Sequence, residues 1–102
     1  MSERKQYARV VCYDGFSMSV QAHAGAYCTP RVDSAECYTE VEVGFPSETE
    51  PLLKQWAEDW RYPTQTVYSY VPSKVVVTVC AKHGGIVGGE VPPGVTFLES
   101  LK

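Results

Sequence analysis

Few residues in this chain of 102 have the chemistry to attack or polarise a substrate, and they are widely spaced. Cysteine catalysis needs a thiolate, an imidazole base and an orienting carboxamide or carboxylate held together. Cys28, in a long connecting segment, with His83 or His23 as base, is the one sensible pairing. No local signature surrounds Cys28, so an inert thiol is the ordinary reading. Glu40 and Glu42 are neighbours on one strand face, without the apolar pocket that lifts one carboxyl pKa for glycosidic work. His83-Gly84-Gly85 matches no phosphate loop or dinucleotide fingerprint, and glycines after a helix are ordinary caps. Cys12, Cys28, Cys37 and Cys80 show no CxxC or CxxH spacing, and there are only two histidines, so zinc is not expected. No catalytic set, metal or cofactor is expected. Cys28 and Cys37 are close enough in sequence to close a small loop, but spacing alone does not decide whether they pair.

Binding chemistry is better represented. Arg31 follows Tyr27-Cys28-Thr29-Pro30, so a proline-stiffened loop can hold a guanidinium and a phenol outward. An arginine clamps a carboxylate or phosphate through two parallel N–H bonds. The alternative is that it pairs with Asp33 or Glu36 and tethers its own loop. Seven tyrosines are many for this length, and tyrosine supplies large, rigid contact surface at protein interfaces. Tyr7 and Tyr13 fall on a core face, which leaves Tyr27, Tyr38, Tyr62, Tyr68 and Tyr70 for a surface. The candidate binding set is Tyr27, Arg31, Glu40, Glu42, Tyr68 and Tyr70.

Charge narrows the partners. The net charge of −3 hides a block at residues 33–59 with eight acids and one base, Lys54, between mildly basic flanks. No basic cluster of the kind that holds nucleic acid is present, so direct DNA or RNA binding is disfavoured. The acidic block also suits imitation of a phosphate backbone before a basic host protein, though −3 is weak for a mimic. No run approaches a membrane span, and Met1-Ser2-Glu3-Arg4-Lys5 leads into no signal-peptide core, which makes a cytoplasmic location the expectation.

The elements that position these residues start with Tyr7–Ala22, a β-hairpin closed at Asp14-Gly15, the strongest short-range hairpin signal. A two-residue turn there sets Val11 opposite Met18 and Arg9 opposite Val20. Tyr7, Val11, Tyr13, Phe16, Met18, Val20 and Ala22 then share the apolar face. The long connection 23–37 precedes a third strand, Tyr38–Phe45, with Val41, Val43 and Phe45 inward and Glu40 and Glu42 outward. Residues 49–60 read as a helix capped by Thr49, with Pro51 in its first turn and Leu53, Trp56, Ala57 and Trp60 as one stripe. Thr64–Tyr70 is extended, with Thr66, Tyr68 and Tyr70 on one side. Residues 72–82 pit a valine run of strand propensity against helix end signals, Pro72 at the start and Gly84 past the end; the end signals favour a helix, with a buried strand as the alternative. The expectation is a single α+β domain over 1–102, an antiparallel sheet built on the N-terminal hairpin and covered by one or two helices.

Several phrases act as a set: Asp14-Gly15-Phe16-Ser17-Met18-Ser19-Val20-Gln21-Ala22, Tyr27-Cys28-Thr29-Pro30-Arg31, Tyr38 to Ser47, Ala57-Glu58-Asp59, Tyr68-Ser69-Tyr70-Val71-Pro72 and His83-Gly84-Gly85-Ile86-Val87. Across residues 10–88 they resemble a group of short phage and prophage proteins of unassigned activity. The valine run departs from those relatives, which carry charged or larger residues after the proline. The resemblance implies a viral accessory protein in a host cytoplasm and supplies no catalytic residues. The functional expectation is a non-enzymatic inhibitor of a host protein, with anti-CRISPR or other counter-defence action as one form. The alternative is a protein that binds or sequesters a small nucleotide, with Arg31 on phosphate and Tyr27, Tyr68 or Tyr70 stacked on a base. Exposed strand edges in a small domain also suit homodimer formation.

Overall fold

A computed structural model describes residues 5–101. Residues 1–4, from which most of the leader reading comes, and Lys102 lie outside the described residues. The fold is α+β. Strands β1 (Val10–Cys12), β2 (Ser17–Gln21), β3 (Glu40–Gly44), β4 (Val67–Pro72) and β5 (Ile86–Gly88) form an antiparallel sheet in the order β4-β3-β2-β1-β5. A 3-10 helix, Pro51–Trp56, and one α-helix, α1 (Ser73–Lys82), pack on it. Among the described residues, no helix is long and apolar enough to cross a membrane.

The hairpin forms where Asp14-Gly15 demands it, but its register differs by one residue. Cys12 N donates to Phe16 O and Gly15 N to Cys12 O, which makes a three-residue loop, Tyr13-Asp14-Gly15, with Gly15 at φ +94°. A type I turn followed by a left-handed glycine gives this geometry, and Asp14 Oδ1 accepting from Phe16 N supports it. The pairs are Val10 with Met18 and Val11 with Ser17. A one-residue slip turns every side chain of a strand over, so Val10 and Cys12 are buried and Val11 and Tyr13 face solvent. The β2 face, Phe16, Met18, Val20 and Ala22, is inward as expected.

In β3 the valines are buried and the glutamates half-buried, but Phe45 turns outward at φ +50° and is exposed. The helix expected over 49–60 is a shorter 3-10 helix capped by Glu50, not Thr49. Pro51 opens it as expected and Leu53 is fully buried. It stops because β4 offers the next donors better partners. Ala57 turns extended to bridge Tyr68, Glu58 N donates to Val67 O, and Asp59 N donates to Thr66 Oγ1. Short helices depend on tertiary contacts, and here those contacts favour the sheet edge.

Residues 73–82 are helical, so the end signals outweigh the valine propensity. Gly84 N donates to Ala81 O and Gly85 N to Cys80 O, closing the helix with paired bonds around Gly84 at φ +92°. Val76, Val79 and Cys80 face the sheet, with Val75 half-buried.

The register makes neighbouring valines unequal. Val10→Ala is expected to cost about 2 kcal/mol, as for other core truncations, while Val11→Ala stays within about 0.5 kcal/mol of the parent. Denaturant titration of the two variants checks this, and equal costs would contradict the observed pairing.

Candidate functional site

Two constellations of polar chemistry stand out, on different elements. The first is a surface patch on the loop between β2 and β3 and on β4. Between the pairs Val43–Tyr68 and Val41–Val71, β4 carries an extra residue, so Ser69 and Tyr70 together oppose Glu42. Tyr70 takes φ +55° in this bulge and is 40% exposed, whereas Tyr68 is fully buried. A bulge that re-aims one side chain accounts for the split between two tyrosines expected on one side. Tyr70 N donates to Tyr27 O at 3.0 Å, which draws the loop onto the strand.

The loop is fastened by acids that sequence reasoning placed on a solvated face. Glu42 Oε2 accepts from Tyr27 N at 3.1 Å, and Glu40 Oε1 accepts from Thr29 Oγ1 at 2.6 Å. Thr29 also bridges Glu40 through the backbone. The Tyr27 and Tyr70 rings lie 6.0 Å apart at 46°, and the Arg31 guanidinium sits over the Tyr27 ring at 5.0 Å. Arg31 forms no ion pair with the described residues; Asp33, offered as its tether, instead accepts from Ala24 N. Tyr27, Arg31, Tyr70, Glu40 and Glu42 thus come together, and Tyr68 does not join them. Its hydroxyl donates to Pro63 O at 2.6 Å, and burial raises its pKa. Tyr38 is also core, its hydroxyl donating to Val32 O and accepting from Ala35 N.

The second constellation was not foreseen. His83, the C-cap of α1, is buried with both ring nitrogens against carboxylates: Nδ1 is 2.7 Å from Asp14 Oδ2, and Nε2 is 2.7 Å from Glu50 Oε1. Phe16 stacks on the ring at 4.1 Å. Glu50 is 1% exposed, and its Oε2 accepts from Leu52 N at 2.9 Å and Lys82 Nζ at 2.8 Å. Burial pushes the Glu50 pKa up, but bonds from Lys82, Leu52 N and His83 outweigh it and leave it lowered. Burial likewise opposes charge on His83, and the bonds to Glu50 and Asp14 override it, so its pKa is raised. An imidazole occupied on both nitrogens is placed to hold structure, with no nitrogen left for a substrate. Local spacing gave no sign of it, because Asp14 reads as a turn residue and Glu50 as a helix-start acid.

The sulfur chemistry also separates. All four cysteines are free, so Cys28 and Cys37 are not bridged. Cys28 is buried, its thiol donating to His23 O at 3.2 Å; burial raises its pKa, and it does not meet His83. Cys80 is pushed up to about 12 by burial and by Cys12 beside it. Among the described residues no group of three or more His, Cys, Asp or Glu side chains could hold a metal ion.

Comparison with protein-family models, with curated proteins and with solved structures finds no match.

Thiol reactivity tests this arrangement. Native protein treated with iodoacetamide is expected to carry label on the exposed Cys37, with Cys12, Cys28 and Cys80 modified only after denaturation. Peptide mass spectrometry reads the sites, and fast native labelling of Cys28 would revive it as a nucleophile.

Proposed function

We propose that this chain is a non-enzymatic interaction protein that docks a protein partner through Tyr27, Arg31 and Tyr70. In the fuller form of the proposal it is a phage-type accessory factor that blocks a host protein in the host cytoplasm, counter-defence such as anti-CRISPR action being one form. The observation that carries the docking reading is Tyr70. A bulky residue in left-handed backbone costs about 1–3 kcal/mol, and such strain concentrates at functional positions. Here it turns an aromatic ring out of the core and sets it beside Tyr27, over whose ring Arg31 lies; tyrosine and arginine are the residue types enriched where interfaces bind most strongly. Arg31 is oriented by its tyrosine and keeps its N–H fork for an acceptor, so the partner chemistry that fits is a carboxylate rimmed by apolar surface.

Other readings fit the geometry less well. Within the acidic block, Asp33, Glu40, Glu42, Glu50, Glu58 and Asp59 all accept hydrogen bonds from this chain. These acids serve as internal fastenings, which weakens phosphate mimicry. A nucleotide site loses Tyr68 to the core, and the tilted Tyr27–Tyr70 pair leaves no parallel slot for a base. Edge-to-edge dimerisation is disfavoured because both sheet edges carry cover: Ala57 bridges β4, and Glu99 bridges β5.

The test separates binding from folding. Tyr70→Gly relieves the left-handed strain, so it is expected to keep or raise stability while losing partner binding. Arg31→Glu should leave stability within about 0.5 kcal/mol and weaken binding by about thirtyfold or more, a loss of about 2 kcal/mol. Capture from host lysate by the parent chain, lost in both folded variants, supports the proposal. Capture retained by both sinks it, and thermal stabilisation of the parent by nucleotides would favour the rival site.

A further inference from the structure

The buried histidine joins three parts of the chain that are remote in sequence, and its two bonds differ in one respect. The separations are 69 residues to Asp14 and 33 to Glu50. The Glu50 side chain is 1% exposed, while that of Asp14 is 48% exposed. The groups facing the ring are Asp14 from the hairpin, Glu50 from the start of the 3-10 helix, and Lys82 of its own helix, which pairs with Glu50. Tyr13 packs against Gly84 beside it. We propose that His83 is a proton-keyed latch that clamps the hairpin turn to the end of α1 when doubly protonated and lets go of Asp14 when it loses one proton.

The choice of arm follows from solvation. An imidazolium donates from both nitrogens and satisfies both carboxylates. When one proton passes to water, the neutral ring keeps a single N–H, and its other nitrogen presents a lone pair to a carboxylate oxygen. Glu50 is 1% exposed and His83 is the partner of its Oε1, so turning a lone pair on it would leave a buried carboxylate oxygen without a donor, whereas Asp14 can rehydrate where it stands. The remaining proton therefore stays on Nε2, and the Asp14 arm opens. Backbone bonds from Tyr13 N to Gly85 O and from Asp14 N to His83 O keep the turn nearby, so the change is a loosening and not an unfolding.

The pH window follows from the directions of the shifts. His83 titrates above its ordinary value, so its stabilisation is complete below that value and is lost as pH rises through the raised one. Asp14, held low by Phe16 N and then by His83, and Glu50, held low by the bonds described above, contribute above the ordinary carboxylate range. They lose that contribution as pH falls through their lowered values. The latch is closed between these limits.

Two-dimensional NMR of the full chain, titrated from mildly acid to mildly alkaline pH, tests the proposal. The His83 ring signals should move with a midpoint above 6.5, the ordinary histidine value. The Asp14 and Phe16 amides should shift with that same midpoint, and the Leu52 amide, bound to Glu50, should move less. Asp14→Asn should remain folded and lower the His83 midpoint. A parent midpoint at or below 6.5, turn amides that stay still through the titration, or an unchanged midpoint in folded Asp14→Asn each overturns the latch.

Discussion

One imidazole held between two carboxylates, one of them almost wholly out of water, constrains the rest of this structure. A buried carboxylate is tolerable only when its lone pairs are met by donors. Glu50 meets three: His83 Nε2, Lys82 Nζ and the backbone N of Leu52. To supply them, α1 must end where it does, with His83 as its cap, and the 3-10 helix must start directly after Glu50, its N-cap. Asp14 extends the same demand to the hairpin, whose loop must stand against the end of α1. Phe16, stacked on the ring, continues the constraint into the apolar core. The hairpin, the 3-10 helix and the α-helix are thus placed by one shared charge arrangement as well as by burial.

The loop between β2 and β3 follows a different logic. A segment this long has backbone groups that must find partners, and loops without such partners are mobile. Here the neighbouring strands supply them: Glu42 accepts from Tyr27 N, Glu40 accepts from Thr29, and Tyr70 N donates to Tyr27 O. The same contacts set the two tyrosines side by side and leave Arg31 over one of them. Fastening the loop and assembling the patch are therefore one event, which is why strain at Tyr70 persists.

Acids that look like a negative surface in the sequence act in three dimensions as acceptors for nearby donors. Six of the eight acids at 33–59 satisfy N–H or hydroxyl groups of the loop, the 3-10 helix, β4 and the turn before it. Net charge counts these groups without showing which are already engaged.

The amino-acid sequence by itself determined the features that depend on a few adjacent residues. Asp14-Gly15 located the hairpin because left-handed backbone needs glycine. Alternation located β3, and Pro72 with Gly84 bounded a helix despite its valines. Tyr27 and Arg31 could be paired from their spacing on one loop. Tertiary structure alone decided the rest. A third residue in the turn loop exchanged Val11 and Tyr13 for Val10 and Cys12 in the core, because side chains alternate strictly along a strand. A bulge opposite Glu42 parted Tyr70 from Tyr68, and the β4 edge cut the expected helix short at Trp56. His83 found its carboxylates across 69 and 33 residues, and hydrogen bonds over such distances exist only once the chain has closed on itself. Local stereochemistry is written in neighbouring residues, whereas the partners of a buried charge are chosen by the packed fold.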